Sequence, residues 1–184
     1  MITDDGMLEG VVAFALIVIA VFWLVIAYNA LDAAAQRTAL AWGNIDALLR
    51  QRHDELTRFV ETCQPHVSDR ALCTDVEAAR TAVFGARHAR DTAALGSAER
   101  ALQAATGRLV AAVESRAGSA ADDQFVAARK RLELLEQSLR ERRAIFNDAV
   151  RQNNAAVGRF PGNVVALLGR FKSVAPFDVE SRQG

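Results

Sequence analysis

Four side chains around one break in the chain are of the types that bind zinc: Cys63, His66, Asp69 and Cys73. Thiolate and imidazole are good zinc ligands, and a bend between two helices there would bring them together. The spacing argues against that use, because neither a CxxC nor an HxxxH pair is formed and Cys63 falls on a seven-residue apolar repeat. A metal-dependent regulator or enzyme using the Cys63, His66 and Cys73 corner is therefore the alternative reading and not the main one. His53 beside Asp54, and His88 beside Arg87, lie on predicted helices among other polar residues, which suits solvated side chains better than general bases. The sequence contains no GxxxxGK[ST], HExxH, GxSxG or GxGxxG, so the usual carriers of phosphate-loop, zincin, serine-hydrolase and dinucleotide chemistry are missing. The expectation is a non-enzymatic protein with no catalytic residue, cofactor or bound metal.

Charge and composition narrow the partners. The chain has 184 residues, with 22 basic and 22 acidic side chains and 51% apolar residues. The first 31 residues hold Asp4, Asp5 and Glu9 and no Lys or Arg, so the other 153 carry all 22 basic and 19 acidic groups, a surplus of +3. That surplus is too small to indicate nucleic acid. Two cysteines and three prolines exclude a disulfide-stapled scaffold and a proline-rich chain. Arg140, Arg142 and Arg143 alternate with Glu136 and Glu141, which reads as a salt-laced exposed face and not as a lipid-binding patch. The pair Asp122-Asp123 sits at a predicted helix start, where it favours the positive end of the helix dipole.

The elements that must position these residues begin in a membrane. From Gly10 to Leu31 the chain holds no charged side chain. Those 22 residues form a helix of about 33 Å, enough to cross a hydrocarbon core of about 30 Å, and Trp23 and Tyr28 suit a headgroup belt at its far end. The acidic leader and the long apolar run differ from a cleavable signal, so the segment is expected to be retained. No Lys or Arg precedes it, whereas Arg37, Arg50 and Arg52 follow, which puts residues 1–9 outside and the rest in the cytoplasm. There Cys63 and Cys73 stay thiols.

Beyond the span, heptads dominate. Ala35, Trp42, Leu49, Leu56 and Cys63 recur every seven residues, with Thr38, Ile45, Arg52 and Phe59 as the companion seam. No Pro or Gly lies between Asn29 and Arg37, so this helix is expected to run on from the span until Pro65 stops it. Ser68 or Asp69 can cap a second helix with Leu72, Val76, Ala79, Val83 and Ala86 inside, weakening toward Gly96. Ser97 can cap a third, with Leu102, Ala105, Leu109 and Ala112 inside, which frays at Gly118. The fourth repeats Phe125, Leu132, Leu139, Phe146, Asn153 and Phe160, beside Ala128, Leu135, Arg142, Ala149 and Ala156. Arg52, Arg142 and Asn153 interrupt the seams. Each is expected at a bundle end or reaching past its apolar stem to water, the alternative being a buried polar contact that fixes register. Phe160-Pro161-Gly162-Asn163 is a turn, Val164 to Phe171 one or two helical turns capped by Asn163 and closing near Gly169, and Val174 to Gly184 a loose end. The fold class is all-α: a single N-terminal transmembrane helix (residues 10–31), an antiparallel up-and-down four-helix bundle (32–160), and a short C-terminal helical turn and tail (161–184).

At these positions the sequence resembles the LemA family. Tyr28-Asn29, Ala41-Trp42, Asn44-Ile45-Asp46 and Leu49-Arg50-Gln51-Arg52-His53-Asp54 are similar to its YN, AW, ID and basic-x-D signature. Ala79-Arg80 resembles its AR motif. Phe146-Asn147-Asp148-Ala149-Val150, Phe160-Pro161-Gly162-Asn163 and Gly169 to Phe171 resemble its YNxxV, FPxN and GF ending. The likeness runs in order from about Tyr28 to Glu180. Thr57 stands where the family has Pro, which implies a straighter first helix, and Phe146 and Asn153 replace Tyr residues. The resemblance implies a bacterial inner-membrane anchor, a cytoplasmic bundle and no established enzymatic activity. Genes of the family often neighbour those of other membrane proteins, TPM-domain proteins among them. The expected partners are thus the bilayer, through residues 10–31, and another membrane protein, with no nucleic acid and with homo-oligomers left open. The residues off the seams that suit interaction or a structural motif are Asn44, Asp46, Asp54, Arg80, Asn147, Asn154, Phe160 and Pro161. A helical body that itself binds lipid is a further alternative.

Overall fold

A computed structural model describes residues 3–117 and 123–178. The described residues are helical, without strands: α1 (Thr3–Cys63), a 3-10 turn (Gln64–His66), α2 (Ala71–Ala89), α3 (Thr92–Ala117), α4 (Asp123–Gly158) and α5 (Gly162–Gly169). By contact density the chain divides into two compact units, one of Met1–Ala39 with Ala149–Val174 and one of Leu40–Asp148 with Ala175–Gly184.

α1 runs unbroken from the apolar segment into the heptads, and its one apolar membrane-length window is wholly unburied. It is the one helix among the described residues long and apolar enough to cross a membrane. Pro65 sits in the 3-10 turn that ends it. The Asp69 carboxylate accepts the Ala71 N–H at 2.9 Å and starts α2, as expected of a residue that competes well for free helical N–H groups.

The third helix begins earlier than Ser97. Arg90 adopts a left-handed conformation (φ 53°) that closes α2, and the Asp91 carboxylate accepts the N–H groups of Ala93 (3.1 Å) and Ala94 (2.9 Å). Helix propagation then passes through Gly96 and Ser97. The fifth helix likewise starts at Gly162, so Asn163 lies inside it, where its side chain accepts the Val164 N–H at 2.8 Å. It ends at Gly169, as the sequence suggests. The end of the third helix at Gly118, Asp122 of the acidic pair, and the tail beyond Asp178 lie outside the described residues; Asp123 opens α4.

In the first unit Ala27 and Leu31 of α1 pack on Val165 and Ala166 of α5, with Ala156, Val157 and Phe171 around them. The Thr38 hydroxyl spans from α1 to the Ala149 carbonyl of α4 at 3.3 Å. In the second unit Leu49, Leu56, Phe59, Val76, Val83, Leu102, Leu109, Phe125, Leu132 and Leu139 are buried, so the heptad seams do face inward. Trp42 meets Phe146, and Phe59 meets Phe125, at ring separations of 5.5 and 5.9 Å.

Three seam assignments need correction. Phe160 is 78% exposed, because the turn at Pro161 rotates it off the α4 face. Arg52 is buried and not at a wetted end, and Asn153 is buried too; Arg142 alone of the three reaches water. The tail from Val174 is not loose as far as Asp178: Phe177 is 1% exposed.

Candidate functional site

Within the second unit α1, α2 and α3 each carry charge on a face that is otherwise apolar. Arg52 lies between Leu49 and Leu56, Arg80 and Arg87 flank Val83, and Glu99 lies between Leu95 and Leu102. A charge in such a place is tolerated only when paired. The Arg52 guanidinium forms a hydrogen-bonded ion pair with Glu99, the two being 3% and 0% exposed, and its other terminal nitrogen is 3.8 Å from the Glu136 carboxylate.

Arg80 crosses from α2 to α1, donating to the Thr57 hydroxyl and to the His53 carbonyl (3.4 Å), with His53 Nε2 at 3.3 Å. Thr57 thus supplies this arginine with an acceptor. Arg87 Nε is 3.3 Å from Asp46 Oδ1, and its guanidinium lies 4.8 Å from the centre of the Phe84 ring, against which His53 also packs. A cavity of about 10 Å³ between these groups is lined by Arg52, His53, Arg80, Phe84, Arg87 and Glu99, room for about one water.

Burial pushes the His53 imidazole below its ordinary value, and the Arg80 and Arg87 charges push it the same way, against Asp54. The neutral ring is what Arg80 requires, since a guanidinium can only donate and Nε2 must accept. The folded state binds this proton less readily than the unfolded chain. The stability gained from a neutral His53 is therefore complete above about pH 6.5 and declines as pH falls through the lowered folded value. Thermal unfolding of the full-length chain between pH 8 and 5 should show a loss of midpoint on acidification that His53→Gln reduces; an equal pH slope in the two proteins would refute the assignment.

Asp46 and Arg80, two of the sequence candidates, enter this cluster. Asn44 and Asp54 stay exposed on α1. Asn147 and Asn154 are elsewhere, on α4, where each grips the tail at two points. Asn147 donates to the Phe177 carbonyl (3.0 Å) and accepts its N–H (2.8 Å), and Asn154 does the same for Val174 at 2.9 Å each. Asn153 donates to the Lys172 carbonyl at 3.1 Å. Phe160 and Pro161 form the turn before α5. Sequence reasoning missed Glu99 and Arg87. The signal for Glu99 was an acidic residue four after Leu95 and three before Leu102, hidden by starting α3 at Ser97.

Cys63 and Cys73 are buried free thiols. Burial, with the nearby Cys73 adding to it, pushes Cys63 up to about 12, and burial raises Cys73 as well. Asp69 is occupied at the start of α2. Among the described residues no three His, Cys, Asp or Glu side chains gather where they could hold a metal ion.

An all-helical chain, with one candidate membrane helix leading into a body cross-linked by buried charge, defines the class. The chain belongs to the LemA family, whose model matches residues 41–184, a stretch that contains the charge cluster and the asparagine clips. No curated protein matches the sequence.

Proposed function

We propose that this chain is a single-pass protein of the bacterial inner membrane, with residues 1–9 outside, and that its cytoplasmic helical body holds another membrane protein and catalyses no reaction. One observation carries the reading: side chains from Leu8 through Ile26 stay exposed on α1, whereas the buried charges of the body, Arg52 and Glu99, are spent on each other. We read the body as an antiparallel up-and-down four-helix bundle. That reading is supported by the α1 to α4 pairs, in which Trp42, Glu55 and Phe59 meet Phe146, Arg131 and Phe125, so that partner numbers fall as α1 numbers rise. With Asp46, Arg80, Asn147 and Asn154 engaged inside the chain, Asn44 and Asp54 are the motif residues of α1 left to face a partner.

The test is photo-crosslinking from Asn44 and Asp54 in intact membranes, alongside protease accessibility. Discrete protein adducts, and a body digested in inverted vesicles but spared in spheroplasts, are expected. Reproducible failure to trap any protein would remove the scaffold reading, and digestion in spheroplasts would reverse the orientation.

A further inference from the structure

The short α5 carries large apolar side chains beyond the one side that packs on the protein. Val165 and Ala166 face inward against Ala27 and Leu31 of α1. On the outward side Leu167 and Leu168 are 83% and 77% exposed, joined by Val164 and by Phe160 at the preceding turn. A contiguous apolar patch left in water marks an interaction surface.

Its position says which. Leu24, Val25 and Tyr28 of α1 line a groove of about 390 Å³ with Val165, Leu168 and Gly169. Phe171 folds back against Tyr28, edge on at 5.5 Å, and its ring lies close over Gly169. Leu24 precedes the first charged residue after the span, Asp32, by eight positions, about 12 Å along the helix. Tyr28, at the other end of the groove, precedes Asp32 by four positions, about 6 Å, and helices that lie in a bilayer surface sink about 5–10 Å below the headgroup boundary, so the groove spans the depth such a helix occupies. Arg159, Arg170 and Lys172 are all exposed at its two ends, where long basic side chains can reach lipid phosphates while their stems stay in the apolar layer.

We propose that α5 is an interfacial membrane helix, a second lipid contact beside the span, with Phe160, Val164, Leu167 and Leu168 among the acyl chains of the leaflet from which α1 emerges. This rests on the reading of α1 as a membrane span. The outer face of α5 is therefore continuous with the lipid-facing surface of α1, and the occupant is the bilayer itself.

The experiment uses the full-length chain in phosphatidylethanolamine and phosphatidylglycerol vesicles, with an environment-sensitive dye on Leu168→Cys, Ile19→Cys or Ala111→Cys. These three positions are exposed and the native thiols are buried. Brominated lipid chains are expected to quench the dye at position 168 as fully as at 19, and iodide in the water to quench it at 111 alone. Iodide quenching at 168 with lipid quenching kept at 19 overturns the α5 proposal and leaves the span intact. Protection of 168 from both quenchers assigns the face to a protein or a second copy and also overturns it. Loss of lipid quenching at 19 removes both readings together.

Discussion

Glu99→Leu is expected to destabilise the folded chain by about 3–5 kcal/mol, the usual cost of leaving one member of a buried ion pair without the other. In a protein of this size that corresponds to a fall in melting midpoint of roughly 10 °C. The loss should lie toward the lower end, because Arg52 keeps a second carboxylate, Glu136, at 3.8 Å. Arg52→Met/Glu99→Leu should recover most of it, since replacing both charges with apolar groups of similar volume removes the desolvation cost along with the attraction. A double-mutant cycle on the full-length chain in micelles, followed by circular dichroism at 222 nm, measures the coupling. A single variant as stable as the parent would mean that the pair is solvated and adds no rigidity between α1 and α3.

The same pair shows what sequence periodicity can and cannot deliver. The heptads placed Leu49, Leu56, Phe59 and Cys63 inside correctly, and they placed Arg52 on the inner seam as well. They do not reveal that Arg52 has a partner, because the partner is 47 residues away on a helix that starts at Thr92, ahead of Ser97 where the local signals put it. That start depends on Asp91, a single capping residue, and on a left-handed Arg90. Gly96 and Ser97 carry the stronger local signals for a break, and packing overrides them. Asn147 and Asn154 were legible as unusual, but their purpose was not, because the tail they hold has no periodicity to betray its course. Phe160 failed as a seam residue for a related reason: the heptad count ran on through a turn that ends the helix.

The tail yields the second large effect. Asn147 and Asn154 are seven residues apart on α4, about 10.5 Å at 1.5 Å per residue. Each side-chain amide makes two bonds to the tail backbone, Asn154 to Val174 in the first unit and Asn147 to Phe177 in the second. Asn147→Ala/Asn154→Ala removes four hydrogen bonds of about 1 kcal/mol each, so amide exchange at Val174 and Phe177 should become roughly a thousandfold faster, at 1.4 kcal/mol per tenfold. Gly96→Ala should release the same segment by another route, since its Cβ would run into the Asp178 carbonyl, and backbone cannot swing aside as a side chain can. Phe177→Ala removes a buried ring that would cost about 3 kcal/mol or more in a closed core. Here the tail can leave while the helices stay, so global stability should fall by no more than the free energy of docking the tail. Hydrogen exchange on the full-length chain separates these effects: fast exchange confined to residues 171–178 with the helices still protected is the expected result, and unchanged protection at Val174 and Phe177 in the double variant would show that the asparagines do not hold the tail.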